Sequence, residues 1–252
     1  MKELNTLEEM FISLCLLIIL AIYVPIFDLK EEIRTIITTS TFLFGIFAGF
    51  VIASRLTRYS KYRELLTNET GSLIALYQYA KTVDEKYAKK IADAIEKYLI
   101  KSFEHEVYEY HEKTENEFYH IFGQIREYRT TKEHEQTKNT MFSIIRDMLK
   151  DREELFLLGK DKIAFWLKAV LFTLAGSIVF SLLLIRGPEI YSNILIVLIS
   201  LSVLIVLSLI DDLDKLRMYK RAMSYEIYYR VFDAMGREKP RVRKGMIHSS
   251  IS

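Results

Sequence analysis

Four apolar segments, two on each side of a long charged stretch, dominate the pattern of hydrophobic and polar positions along this chain. Each is 17 to 21 residues long and holds no charged side chain, and they cover 11–27, 36–54, 169–185 and 190–210. A helix of about 20 residues crosses the ~30 Å hydrocarbon core of a bilayer, where the backbone must satisfy its own hydrogen bonds. The pattern therefore predicts an all-α protein with four transmembrane helices.

The charged stretch between the second and third segments keeps a helical period. Leu73, Leu76 and Ala80 continue the period of the second span, which is therefore expected to extend beyond the membrane as a stalk. Asp84 is expected to cap the next helix, and the polar, aperiodic residues 126–139 indicate a loop. These features predict a cytoplasmic helical domain that is inserted between spans two and three. The predicted division is 1–54 for spans one and two, 55–161 for this domain, 162–212 for spans three and four, and 213–252 for a cytoplasmic helix and basic tail.

Basic residues near membrane ends predict the orientation, because they favour the cytoplasmic side. Arg55 and Arg58 follow span two, and Lys215 and Arg217 follow span four. The two short linkers, between spans one and two and between spans three and four, carry no such excess. A multi-pass protein of the cell membrane is expected, with both termini in the cytoplasm.

Composition excludes several classes of function. The chain has 35 basic and 33 acidic residues, and this near balance gives no reason to expect a nucleic-acid partner. Its single cysteine, Cys15, forms no intrachain disulfide. Glycine-rich phosphate loops, nucleophile elbows and HExxH metal motifs are absent from the sequence, so neither an enzyme nor a catalytic residue is expected. The lipid bilayer is the partner that the pattern itself predicts.

The second span carries two faces of interest. Small residues that allow close approach of helices form one stripe, made of Thr38, Thr41, Gly45, Ala48 and Gly49. Packing within one chain and packing between protomers both remain open for this stripe. The other face is a row of large apolar residues at i, i+4 and i+8, namely Phe42, Ile46 and Phe50. Such a row faces lipid or core, or forms hydrophobic rings where the helix lines a pore.

Three carboxylates close the fourth span at its inner end. Asp211, Asp212 and Asp214 lie within four residues, and oxygen ligands of this kind suit a hard cation such as calcium. The alternative is an ordinary charge cluster, compensated by neighbouring basic residues such as Lys215. Apart from calcium at this position, no cofactor is expected.

Residues 49–59, GFVIASRLTRY, resemble the second membrane helix of bestrophins, in which Gly-Phe is followed nine to ten residues later by Arg and an aromatic residue. The chain as a whole is similar to the prokaryotic bestrophin-like domain family of four-span proteins. Its motifs are matched here by Glu69 with Leu73 to Tyr77 after span two, and by Asp147, Arg152 and Leu155 before span three. The Pro-Phe that follows an aspartate after span four in bestrophins is absent here.

The resemblance implies a function. Bestrophins are pentameric anion channels in which a ring of second helices forms the pore neck, and the neck positions fall on Phe42, Ile46 and Phe50. An acidic calcium clasp lies near the end of span four in bestrophins, which implies Asp211, Asp212 and Asp214 here. We expect a homo-oligomeric, bestrophin-like channel for inorganic ions, a pentamer by resemblance. The alternative is a non-conducting membrane scaffold or sensor whose cytoplasmic helices bind a partner.

Overall fold

The computed structural model describes residues 30–105, 110–129, 131–185, 187, 189–215 and 224–240. Within these residues it is helical and holds no strand, so the all-α prediction is confirmed. The helices are α1 (Lys30–Val83), α2 (Glu85–Phe103), α3 (Tyr110–Lys113), α4 (Glu115–Glu127), α5 (Glu135–Lys160), α6 (Phe165–Leu184), α7 (Ile190–Asp214) and α8 (Ser224–Met235), with a 3-10 turn at Lys132–His134.

Three of the described helices, α1, α6 and α7, are long and apolar enough to cross a membrane. They contain the second and fourth predicted spans and all but the last residue of the third. The first predicted span, 11–27, lies outside the described residues, and a total of four spans therefore stays a prediction.

The chain divides into two compact units. The first comprises the described residues that fall within 1–57 and 162–217, and the second comprises those that fall within 58–161 and 218–252. α1 is one unbroken helix of 54 residues. Its first half belongs to the first unit and its second half belongs to the second. Its length confirms the predicted extension of span two beyond the apolar segment.

The first unit has an apolar core that α1, α6 and α7 share. Every third or fourth residue of α1 faces this core, through Phe44, Ala48 and Val51. α6 and α7 contribute residues at the same spacing, among them Leu171, Ala175, Ile178, Ile196 and Val203. A polar contact joins α1 to α6, since the hydroxyl oxygens of Ser40 and Ser177 are 3.1 Å apart. These contacts fix which face of α1 points inward.

The second unit packs the remaining helices around buried apolar faces. Asp84 caps α2 as predicted, because its carboxylate accepts a hydrogen bond from the backbone N–H of Tyr87 at 3.1 Å. The buried side chains of α2 recur with the helical period, as Ile91, Ile95, Tyr98 and Leu99.

The predicted loop at 126–139 is about twice as long as the connection that the structure shows. α4 continues to Glu127, and α5 already begins at Glu135 after the short 3-10 turn. The first turns of α5 are polar because they face solvent, whereas Met141 and Ile145 begin its buried face. Glu, Gln and Lys are good helix formers, so a polar stretch without apolar period extends a helix that later residues anchor.

Candidate functional site

The outward face of α1 in the first unit is rich in side chains that the described residues leave exposed. Phe42, Ile46 and Phe50 are 66%, 52% and 69% exposed, although they are large and apolar. They lie on the side of the helix opposite to Phe44, Ala48 and Val51, which face the core. The structure thus brings the three predicted neck residues onto one open face of α1.

The residues of the small-residue stripe differ in their burial. Ala48 is buried in the core, whereas Thr38, Thr41, Gly45 and Gly49 are exposed. Apart from the adjacent residues and the backbone of α1 itself, a Cβ added to Gly45 or Gly49 would meet no described atom within 4 Å. Within the described part of the chain, these two glycines therefore leave room on α1 that no other helix fills.

Asp214 is the centre of a charge network at the end of α7. Its carboxylate is 3% exposed and accepts a hydrogen bond from the backbone N–H of Ile163 at 2.8 Å. Lys168 Nζ lies 2.7 Å from it, and Arg55 Nη1 lies 3.6 Å from it. One buried carboxylate thus ties together α1, α6 and α7 within the first unit.

The three aspartates predicted to hold calcium differ in their surroundings. Asp214 faces Arg55 and Lys168, whereas Asp211 pairs with Lys215 at 2.8 Å on a more exposed side of α7. In the part of the chain that the structure describes, no group of three or more acidic, His or Cys side chains is arranged to hold a metal ion. The calcium site stays a prediction, and the ion pairs with Arg55 and Lys168 give Asp214 a structural role.

A second charge network lies fully inside the second unit. Glu69 is 0% exposed and Arg152 is 2% exposed, and Arg152 Nη1 is 3.5 Å from a carboxylate oxygen of Glu69. The hydroxyl of Tyr98 donates to that same oxygen and accepts a hydrogen bond from Arg152. Both charges belong to the motifs that carried the family resemblance, and the fold brings them together from positions 83 residues apart.

Further groups complete the surroundings of these two charges. Arg152 Nη2 donates to the hydroxyl of Thr114 at 3.3 Å, and its guanidinium carbon lies 4.6 Å from the ring centre of Phe118, a cation–π arrangement. Tyr228 of α8 donates to the second carboxylate oxygen of Glu69 at 3.4 Å. Burial raises the pKa of Tyr98 well above its usual value, and the Glu69 carboxylate raises it further. Tyr98 therefore keeps the proton that it donates.

Arg58, which lies in the stretch 49–59 that resembles bestrophins, contacts the end of another helix instead of a carboxylate network. It is buried, and its side chain donates to the carbonyl oxygens of Leu158 at 2.8 Å and Gly159 at 3.3 Å. These carbonyls belong to the last turn of α5, where helix geometry leaves backbone acceptors without intrahelical partners. A guanidinium there satisfies the acceptors and opposes the negative end of the helix dipole. Sequence reasoning missed this role, because a basic residue after a membrane span is also expected from topology alone.

The comparison with known protein families identifies the family of this chain. The model of the Bestrophin-like domain family matches residues 13–215, which is more than half of the chain. The chain belongs to the Bestrophin-like domain family. The predicted resemblance is thereby confirmed.

A solved structure shows the same fold. The crystal structure of a bacterial bestrophin homologue from Klebsiella pneumoniae, carrying a tryptophan-to-alanine mutation, matches with a TM-score of 0.68 and 12% sequence identity. The match covers 93% of this chain and 100% of that chain. At this identity the likeness concerns the fold alone. No curated protein matches the chain.

Proposed function

We propose that this bestrophin-like protein is the subunit of a homo-oligomeric ion channel, in which the exposed face of α1 lines the pore. Phe42, Ile46 and Phe50 would then form stacked apolar rings, the hydrophobic neck that the resemblance to bestrophins implies. The observation that carries the proposal is the exposure of these three residues, at 52% to 69%, on the face of α1 opposite its packed core side. The family membership supports a channel over an enzyme.

The composition of this face favours water or protein over lipid as its surroundings. On the exposed sides of α6 and α7, large apolar residues predominate, such as Phe172, Phe180, Leu195 and Leu198. The exposed side of α1 mixes its large residues with Thr35, Thr39, Thr41 and two glycines, whereas α6 exposes only Thr173 and Gly176 of this kind among its described residues. Small and hydroxyl-bearing residues are typical of helix contacts and of aqueous pathways in membranes, whereas acyl chains are matched by large apolar groups.

Two measurements on the same preparation test the proposal: the mass of the assembly and its ion conductance. Purified full-length protein in nanodiscs should have the mass of a closed ring, a pentamer by resemblance. The same preparation in planar bilayers should pass current. A monomer or dimer that stays silent would contradict the channel and favour the scaffold or sensor.

Gly45 and Gly49 should be contact points between protomers. Leucine at either position is expected to lower the mass of the assembly, because its side chain would separate neighbouring helices that approach at these open glycines. Gly176→Leu is the matched control, since a Cβ at this glycine of α6 also meets no described atom within 4 Å. Native mass measurement in nanodiscs checks the result. An intact ring in both the Gly45 and the Gly49 variants would remove the interprotomer contact from the proposal.

We further propose that both termini lie in the cytoplasm, from the distribution of basic residues. In a Cys15→Ala background, Asn5→Cys and Gly245→Cys should not react with an impermeant thiol reagent in intact cells. Gly187→Cys, in the linker between α6 and α7, should react. Labelling at either terminus in intact cells would contradict the proposed topology. The same reaction in lysed cells is the control, because it shows that each thiol is reactive.

A further inference from the structure

Four carboxylates of the second unit lie together where α1 and α5 meet. This acidic group consists of Glu64 on α1 and of Asp147, Asp151 and Glu154 on α5. On α5, Asp151 follows Asp147 by four residues and precedes Glu154 by three. Side chains at these spacings are neighbours on a helix surface, and like charges there repel each other.

One lysine is shared by two carboxylates of the acidic group. Lys61 Nζ lies 3.5 Å from the Glu64 carboxylate and 3.8 Å from that of Glu154. The pair with Glu154 joins α1 to α5, so this lysine is also a contact between the two helices. A single ammonium therefore offsets only part of the negative charge on both sides of the contact.

Asp151 is the member of the acidic group that has no cation of its own. The neighbouring Asp147 lies 3.9 Å from both Arg146 and Lys150. Among the residues that the structure describes, neither an ion pair nor a hydrogen bond joins a partner to the side chain of Asp151. This side chain is nevertheless half-buried. A carboxylate that loses water without gaining a partner is stabilised by taking up a proton.

The surroundings of Asp151 act on its proton in the same sense. Burial raises the pKa of Asp151 above its usual value, and the Glu154 carboxylate raises it further. Lys61 lowers this pKa, whereas Asp147 and Glu64 raise it again. These four side chains are the charged groups that face Asp151 from α1 and from α5 itself, and the repulsion outweighs the one attraction.

We propose that Asp151 is a proton-operated switch of the contact between α1 and α5 in the second unit. When Asp151 is ionised, one more negative charge opposes the bridge that Lys61 makes from Glu64 to Glu154. When Asp151 is protonated, this repulsion is removed and the two helices pack more firmly. The switch goes beyond the proposed function and does not require that the assembly conducts ions.

The sign of the pH dependence follows from linkage. A carboxyl group with a higher pKa in the folded than in the unfolded protein favours the folded state when it is protonated. The resulting stability is fully present below the pKa of the unfolded chain and is lost as the pH rises through the pKa of the folded protein. Ionised Asp151 should therefore weaken the second unit at neutral pH.

Thermal unfolding of the full-length protein in nanodiscs, followed by circular dichroism at a series of pH values, tests the switch. Asp151→Asn stays uncharged at every pH, so it should raise the midpoint at pH 7 by on the order of 2 °C. The gain should shrink as the pH falls to about 4, near the ordinary pKa of aspartate. Glu153→Gln, which neutralises an exposed carboxylate of α5, is the control, and its effect should not vary with pH in this way.

Two further measurements separate the proton from other effects of the substitution. In a Lys61→Met background the gain from Asp151→Asn should be larger, because the one cation that offsets the acidic group is gone. At pH 7, amide hydrogens of 147–158 should exchange severalfold more slowly in Asp151→Asn than in wild type, because the contact with α1 is firmer.

The remaining outcomes overturn the switch. An Asp151→Asn variant that is no more stable than wild type at pH 7, or that does not fold, would show that the ionised carboxylate does not weaken the contact. A gain that stays constant from pH 7 to pH 4 would show that the amide acts by packing and not by the absence of charge. Unchanged hydrogen exchange in α5 would remove the contact with α1 from the mechanism.

Discussion

Replacing Arg152 with methionine is expected to destabilise the second unit by about 3–5 kcal/mol, the cost typical of breaking a buried ion pair from one side. The Glu69 carboxylate would stay buried without its guanidinium partner, and Tyr98 would lose the donor to its oxygen. Arg152 also packs on the ring of Phe118, so its removal costs packing as well as charge. Thermal unfolding of the full-length protein in nanodiscs, followed by circular dichroism, measures the loss.

Two control variants make the result specific. Glu69→Gln combined with Arg152→Met removes both charges, and this double variant should be more stable than Arg152→Met alone, because no buried charge is left uncompensated. Arg146→Met alters an exposed arginine of the same helix that pairs with Asp147, and its effect should stay below about 1 kcal/mol. If Arg152→Met melts like the wild type, the buried pair does not hold this unit together.

The local features of the fold could be predicted from the sequence, because they depend on neighbours along the chain. The period of apolar residues predicted the extension of α1, and Asp84 predicted the start of α2, and both are confirmed. The loop at 126–139 is predicted too long, because local reasoning depends on the apolar period. A polar helix end has no apolar period of its own, and the buried residues that anchor α5 follow only at Met141 and Ile145.

The charge networks could not be predicted in this way, because they join distant parts of the chain. Glu69 and Arg152 are recognisable in the sequence as motif residues, yet their pairing depends on how α1, α2 and α5 pack. The sequence groups Asp214 with Asp211 and Asp212, whereas the fold places its carboxylate beside Arg55 and Lys168. A signal was present in both cases, since a charged residue at a buried helical position requires a partner. The sequence indicates that such a charged residue needs a partner, but it does not identify the partner.

The row formed by Phe42, Ile46 and Phe50 leads to the second large expected effect, a rise in conductance when all three residues are replaced by alanine. Rings four residues apart lie about 6 Å from each other along the helix axis. Large apolar rings at this spacing resist wetting, and an ion that enters a dry constriction meets an energetic barrier. Alanine widens the constriction and admits water, so single-channel currents in planar bilayers should increase.

A matched variant distinguishes a pore from a lipid-facing surface. Phe172→Ala, Phe180→Ala and Leu198→Ala together also truncate three exposed apolar residues, on α6 and α7, which are 62%, 60% and 53% exposed. If α1 lines the pore, this set should leave the conductance unchanged while the α1 set raises it. If the row on α1 faces lipid, neither set should alter the current. When wild type and the α1 triple variant are both silent to chloride, sodium and potassium in an intact oligomer, the channel is contradicted and the non-conducting scaffold or sensor takes its place.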